Sequence, residues 1–166
     1  MYELYIANKN YSSWSLRPWV LLTQLGIAFE EKLQVFGSQD NFEQFRVFSP
    51  TGRVPCLIDA QTAVWDSLAI VEYLAERHDG VWPSDATTRT YARCAAAEMH
   101  SGFSEIRNVC PMNCAITVEM GTITPGLQRD IDRIDELWCE GLDRFGGPFL
   151  AGKKFSAADA FFCPVA

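Results

Sequence analysis

The chain has 166 residues, 48% of them hydrophobic and 21% charged, a composition that suits one folded domain or two small ones and excludes a disordered segment. With 14 Lys and Arg against 21 Asp and Glu, the net charge of -7 opposes any general affinity for a nucleic-acid backbone. No apolar run approaches the roughly 20 residues of a membrane span, and the start MYELYIANKN lacks the basic and apolar regions of a secretory signal. The expected setting is the cytoplasm, with no membrane and no nucleic acid as partner.

Taken in chain order, the first eighty residues alternate strand and helix signals. Tyr2 to Ala7 reads as a short strand, and Trp14 to Leu25 carries apolar residues at helical spacing until Gly26 stops it. Phe29 to Val35 reads as a second strand, and a polar loop leads into a short helix at Asn41 to Phe48. After the turn-rich Ser49-Pro50-Thr51-Gly52 come two short strands, Cys56 to Asp59 and Ala63 to Trp65. Ser67 to His78 closes the unit as an amphipathic helix burying Leu68, Ile70, Val71 and Leu74. The order β-α-β-α-β-β-α predicts a small mixed sheet between helices, the thioredoxin-like arrangement, over residues 1–78.

Residues 79–85 are rich in breakers and are expected to link this domain to a helical one spanning 86–166. There, Arg89 to Val109 reads as one long helix that Pro111 interrupts. Thr124 and Pro125 open another, as N-cap and first helical residue, with Leu127, Ile131, Ile134, Trp138, Leu142 and Phe145 as its apolar stripe. Ser156 and Asp159 have the spacing of a capping box, but the sequence stops at Pro164-Val165-Ala166 without a helix-end signal, so the helical domain is expected to be incomplete. The six cysteines form no C-x-x-C pair and have no His at metal-ligand spacing, which argues against a metal and against a protein dithiol. Cys110 and Cys114, four apart, read either as a redox pair or as small buried hydrophobes.

Three patterns, in this order and spacing, resemble a known family: Tyr11-Ser12-Ser13-Trp14-Ser15-Leu16-Arg17 at the first strand-helix turn, Arg53-Val54-Pro55 before the third strand, and Asp66-Ser67-Leu68-Ala69-Ile70 opening the third helix. Together with Ser156-Ala157-Ala158-Asp159 they are similar to the cytosolic glutathione transferases, most of all the serine-type zeta class and its bacterial relatives. The resemblance implies a thioredoxin-like N-terminal domain followed by a helical C-terminal domain. It implies glutathione as cosubstrate, a small electrophile as second substrate, a detoxification role and a two-fold homodimer built through the third and fourth helices. Ser12 is then the catalytic residue facing the glutathione sulfur. The implied glutathione contacts are Ser13, Arg17, Arg53, Val54, Pro55, Asp66 and Ser67, with a cis Val54–Pro55 bond and Asp66–Ser67 gripping the γ-glutamyl end. Trp14, His100 and Phe103 are the candidates for the electrophile pocket.

The chemistry stands without the family. A serine hydroxyl at a helix N-terminus can donate to a thiolate, and the positive helix end favours the anion, so the nucleophilic fraction of the thiol rises. Each residue also has a plainer reading: Ser12, Ser13 and Ser67 as helix caps, Arg17 and Arg53 as solvated surface charge, and His100 as a structural histidine. Both Ser readings hold together if Ser13 caps while Ser12 faces the ligand. Trp14 stands where zeta-class isomerases carry a cysteine, which argues against maleylacetoacetate isomerisation. A transferase and a non-catalytic glutathione-binding or interaction module are the two readings left.

Overall fold

The computed structural model describes residues 1–37 and 41–166; part of the polar loop expected before Asn41 lies outside the described residues. The chain divides into two compact units, Met1–Val81 and Trp82–Ala166.

The first unit runs β1 (Tyr2–Ile6), α1 (Ser13–Gln24), β2 (Phe29–Leu33), α2 (Phe42–Arg46), β3 (Cys56–Asp59), β4 (Thr62–Trp65) and α3 (Ser67–Ala75). The sheet order is β2-β1-β3-β4, with β1 parallel to β2 and the other two pairs antiparallel. A parallel pair needs a crossover, and α1 supplies it. β1 lies inside the sheet, and its Leu4 and Ile6 are fully buried. The edge strand β2 keeps Glu30 and Glu31 at the surface, and Lys9 and Lys32 pair with them. Leu21 and Leu22 of α1 and Ile70, Val71 and Leu74 of α3 are fully buried where the two helices pack together. This is the mixed, thioredoxin-like sheet expected from the order of elements. Three elements end two or more residues earlier than expected: β2 stops at Leu33 rather than Val35, α2 at Arg46 rather than Phe48, and α3 at Ala75 rather than His78. His78 Nε2 instead lies 2.9 Å from the Tyr2 hydroxyl.

The second unit is helical: α4 (Ala86–Ser101), α5 (Ser104–Val109), α6 (Pro125–Phe145), α7 (Ala157–Phe162) and a closing 3₁₀ turn (Cys163–Val165). The single helix expected from Arg89 to Val109 is in fact two. Gly102 adopts an extended backbone where a Cβ would come within 2.8 Å of the Glu98 carbonyl oxygen, and Phe103 follows in the left-handed region at φ 58°. The carbonyls freed at the end of α4 are collected by Arg107, which folds back to donate to Gly102 O at 2.9 Å and to Met99 O. The helix also begins earlier than expected because Asp85 Oδ1 accepts the Thr88 N–H at 2.8 Å. Thr124 caps α6 with Pro125 at its start, as expected.

The buried face of α6 is Leu127, Ile134, Leu137 and Gly141, while Leu142 is 38% exposed, so the stripe turns away from the expected one. Gly141 sets that turn: a Cβ there would meet the Leu150 carbonyl oxygen at 2.5 Å and the Tyr91 ring at 3.0 Å. Arg133 of α6 grips Glu98 of α4 with two parallel hydrogen bonds, Nε to Oε1 at 2.7 Å and a second to Oε2 at 2.9 Å. Ala95 and Ala96 are buried on α4, which packs on α7. Cys110 and Cys114 are exposed, which overturns the reading of the two as small buried hydrophobes. No helix among the described residues is long and apolar enough to cross a membrane.

Candidate functional site

The register of the sheet determines which segments meet. Tyr5 near the end of β1 pairs with Cys56 at the start of β3, and Cys56 pairs with Trp65 at the end of β4. The turn into α1, the Val54–Pro55 segment ahead of β3 and the Asp66–Ser67 start of α3 therefore share one end of the sheet. Eight of the expected residues, Ser12, Ser13, Arg17, Arg53, Val54, Pro55, Asp66 and Ser67, belong to these three segments.

The chain leaves β1 through the buried Ala7 and turns on Asn8, whose carbonyl accepts the Tyr11 and Ser12 N–H groups at 3.2 and 2.9 Å. Ser12, rather than the expected Ser13, holds the N-cap position of α1, and Ser13 is the first residue of the helix. The Ser12 side chain makes no capping bond; its hydroxyl donates to Ser15 Oγ at 2.9 Å. Ser15 is fully buried and also accepts the Ala7 N–H at 3.1 Å. The sequence reading passed over Ser15. The available signal was a polar residue one turn after Ser12 on the face that α1 buries.

Arg17 is not at the surface: it is fully buried, with its guanidinium 4.4 Å from the centroid of the Trp14 ring. It brings positive charge to α1 from within the unit. Arg53 is exposed, and its N–H donates to the buried Ser49 hydroxyl at 3.4 Å. The Val54–Pro55 bond is cis, and Pro55 is buried. Next to it, burial pushes the Cys56 thiol up to about 11, so it is protonated at neutral pH and is no nucleophile. Cys56 is the one cysteine in the first unit.

At the start of α3, Asp66 is exposed and sits at φ 73°, a conformation non-glycine residues seldom adopt. Its Oδ1 accepts the Leu68 N–H at 2.8 Å, which caps the helix. Ser67 is fully buried, and its Oγ has no hydrogen-bond partner among the described residues. A polar atom in that position ordinarily costs about 1–3 kcal/mol, which marks the place as one where stability is not the only consideration.

Of the three remaining expected residues, Trp14 lies on α1 in the first unit, 36% exposed, while His100 and Phe103 belong to the second unit. His100 is half-buried with its ring 6.1 Å from that of Phe161, and Phe103 is buried with its ring 6.4 Å from Phe162. A cleft of about 610 Å³ in the first unit lies at the opposite end of the sheet, lined by Tyr2, Asp59, Arg77 and His78 among others. Among the described residues no cluster of His, Cys, Asp and Glu is arranged to hold a metal ion.

Residues 11–77 match the family model of the glutathione S-transferase N-terminal domain. The chain is 26% identical over 157 residues to a zeta-class glutathione S-transferase of Euphorbia esula, covering 92% of this chain and 70% of that one. With glutathione S-transferase 1 of Dianthus caryophyllus it shares 25% identity over 171 residues, 98% of this chain and 74% of the relative. Among solved structures, a diazinon-metabolizing glutathione S-transferase of the silkworm Bombyx mori superposes with a TM-score of 0.75 at 21% identity, over 98% of this chain and 77% of that one. A glutathione transferase homolog from Burkholderia, solved with bound glutathione, gives 0.68 at 22% identity, over 97% and 76%.

Proposed function

Because residues 11–77 match the glutathione S-transferase N-terminal domain, we propose that the chain binds glutathione at the end of the sheet where α1 and α3 begin, and conjugates the sulfur to a small electrophile. In this reading the Ser12 hydroxyl donates to the sulfur. Together with the positive end of α1 it holds the sulfur as thiolate at neutral pH, where a free thiol of pKa about 8.5 is mostly protonated. Val54 exchanges backbone hydrogen bonds with the cysteinyl portion as an added strand does. Asp66 and the start of α3 at Ser67 receive the γ-glutamyl ammonium and carboxylate, while Ser13 and Arg53 flank the tripeptide. Arg17, being buried, contributes through its charge.

The observation that carries this reading is the register Tyr5–Cys56–Trp65, which collects the starts of α1, β3 and α3 at one end of the sheet within the segment that matches the family. The Burkholderia structure, with its bound glutathione, supports the choice of ligand. The test is calorimetric titration with glutathione followed by turnover measurements on a panel of electrophiles. Binding with turnover is expected; binding without turnover makes the chain a glutathione-binding module, and no binding refutes the site. Two-fold self-association through α3 and α4 belongs to the same reading, with the exposed Cys94 and Ala97 on the free face of α4. Light scattering at micromolar concentration is expected to give a dimeric mass, and a monomeric mass refutes the pairing.

A further inference from the structure

Ser15 is the polar group packed directly behind Ser12. It is fully buried, one turn along α1, with its hydroxyl 2.9 Å from that of Ser12 and 3.1 Å from the Ala7 nitrogen. A hydroxyl has one proton and two lone pairs. The Ala7 N–H, held at the end of β1, occupies one lone pair in a fixed direction. What is left for Ser12 is one lone pair and one proton, so the two serines can pair in two ways. In the structure Ser12 donates and Ser15 accepts. In the alternative Ser15 donates to Ser12 Oγ, and only then is the Ser12 proton free to point at a ligand while its oxygen keeps a partner.

We propose that Ser15 is the positioning residue for Ser12: when a thiolate lies at the start of α1, both hydroxyls turn, giving the chain Ala7 N–H to Ser15, Ser15 O–H to Ser12, and Ser12 O–H to sulfur. This rests on the reading of Ser12 given above. Each serine keeps its own proton and rotates it, and the thiol proton leaves to solvent, so no group changes its protonation state except the thiol. The exchange leaves the Ser12–Ser15 pair bonded in both arrangements. A hydroxyl that accepts a hydrogen bond is a stronger donor through the same oxygen, so Ser15 raises the hold of Ser12 on the anion without touching it. The anchor on Ala7 ties the direction of the chain to the sheet, and thereby fixes where Ser12 can aim.

A serine that merely fastens α1 to β1 would affect stability and nothing specific to ionisation, and that difference is measurable. The pH profile of kcat/KM for conjugation of glutathione to chlorodinitrobenzene is measured for the parent, Ser15→Ala, Ser15→Thr, Ser12→Ala and the Ser12→Ala/Ser15→Ala double variant, together with glutathione Kd. For Ser15→Ala the expected result is a fall in kcat at neutral pH of about threefold to tenfold, the worth of one neutral hydrogen bond, with Kd nearly unchanged. Its profile moves to higher pH by roughly half a unit to one unit. Ser15→Thr, which keeps the hydroxyl, restores the parent profile, and in the Ser12→Ala background the loss of Ser15 shifts nothing further. If Ser15→Ala does not fold, Ser15→Cys, a weaker donor of similar shape, is read in its place with the same direction of shift expected. An unmoved profile, no rescue by a folded Ser15→Thr, or an equal shift in the absence of Ser12 overturns the relay while leaving glutathione binding intact. A parent chain that fails to bind glutathione overturns the underlying function as well.

Discussion

Helices begin differently in the two units. In the second, the start of each of α4, α6 and α7 closes on its own backbone. Asp85 accepts from Thr88 N–H at 2.8 Å, Thr124 from Leu127 N–H at 3.2 Å, and Asp159 from Ser156 N–H at 2.8 Å. In the first unit α3 is capped as well, Asp66 accepting from Leu68 N–H at 2.8 Å, but from φ 73° and ahead of a buried Ser67 hydroxyl without a partner among the described residues, and at α1 the Ser12 hydroxyl turns sideways to Ser15. Ser12 and Ser156 are both serines at helix starts, yet one is spent on the helix and the other is withheld from it. An N-cap is worth about 1 kcal/mol, so forgoing it makes sense where the hydroxyl is needed for something else.

The sharpest way to break this contrast is to treat the two starts alike. Asp159 accepts from the Leu150 N–H, the Ser156 N–H and the Ser156 hydroxyl, at 2.8, 2.8 and 3.1 Å. Asp159→Ala removes all three and is expected to destabilise the second unit by roughly 3 kcal/mol, read by urea denaturation. Ser12→Ala loses no capping bond but does lose its hydrogen bond to Ser15, so its stability is expected to fall by about 1 kcal/mol, well short of the Asp159→Ala loss. Its main effect falls on turnover, which drops about ten- to a hundredfold for a lost bond to a charged group, while glutathione affinity changes little. A Ser12→Ala variant that turns over like the parent at neutral pH removes Ser12 from the reaction.

Smaller effects refine the comparison at the other helix starts. Ser67→Ala is expected to weaken glutathione binding about tenfold and to raise stability by about 1 kcal/mol, because it removes a buried hydroxyl that has no hydrogen-bond partner among the described residues. Thr124→Ala should cost about 1 kcal/mol of stability and leave binding unaffected. The smallest effect is a slope. Burial pushes the Asp159 carboxyl above its ordinary 3.8 despite the hydrogen bonds that pull it down. The native state then holds a proton that the unfolded chain has released, so this group's contribution to stability falls as pH rises from about 3.8 through the raised native value. In Asp159→Asn that part of the slope disappears, and an unchanged pH dependence of urea denaturation contradicts the burial of this group.

The order of elements was legible because each element carries its own period and its own stop, as in the alternation of Tyr2 to Ile6 or the Thr124-Pro125 start of α6. What was hidden depended on distant residues. The break at Gly102 is held by Arg107 reaching back to the end of α4, and a glycine alone does not announce it. The face of α6 is turned by Tyr91 and Leu150 closing on Gly141, which the apolar spacing of α6 itself cannot reveal. In the site, Ser12, Val54–Pro55 and Asp66–Ser67 were legible as local patterns. Ser15 was not, because its meaning comes from Ala7, in the connection after β1, and neither was the burial of Arg17 under a surface-charge expectation.

The central claim is that Ser12 is withheld from its helix in order to hold a thiolate, and the most direct measurement of it is the titration of bound glutathione, followed through the ultraviolet absorbance of the thiolate as pH is varied. The account predicts a thiol pKa on the parent chain well below the roughly 8.5 of a free thiol, returning toward that value in Ser12→Ala. Glutathione that binds the parent yet titrates like the free tripeptide would contradict it.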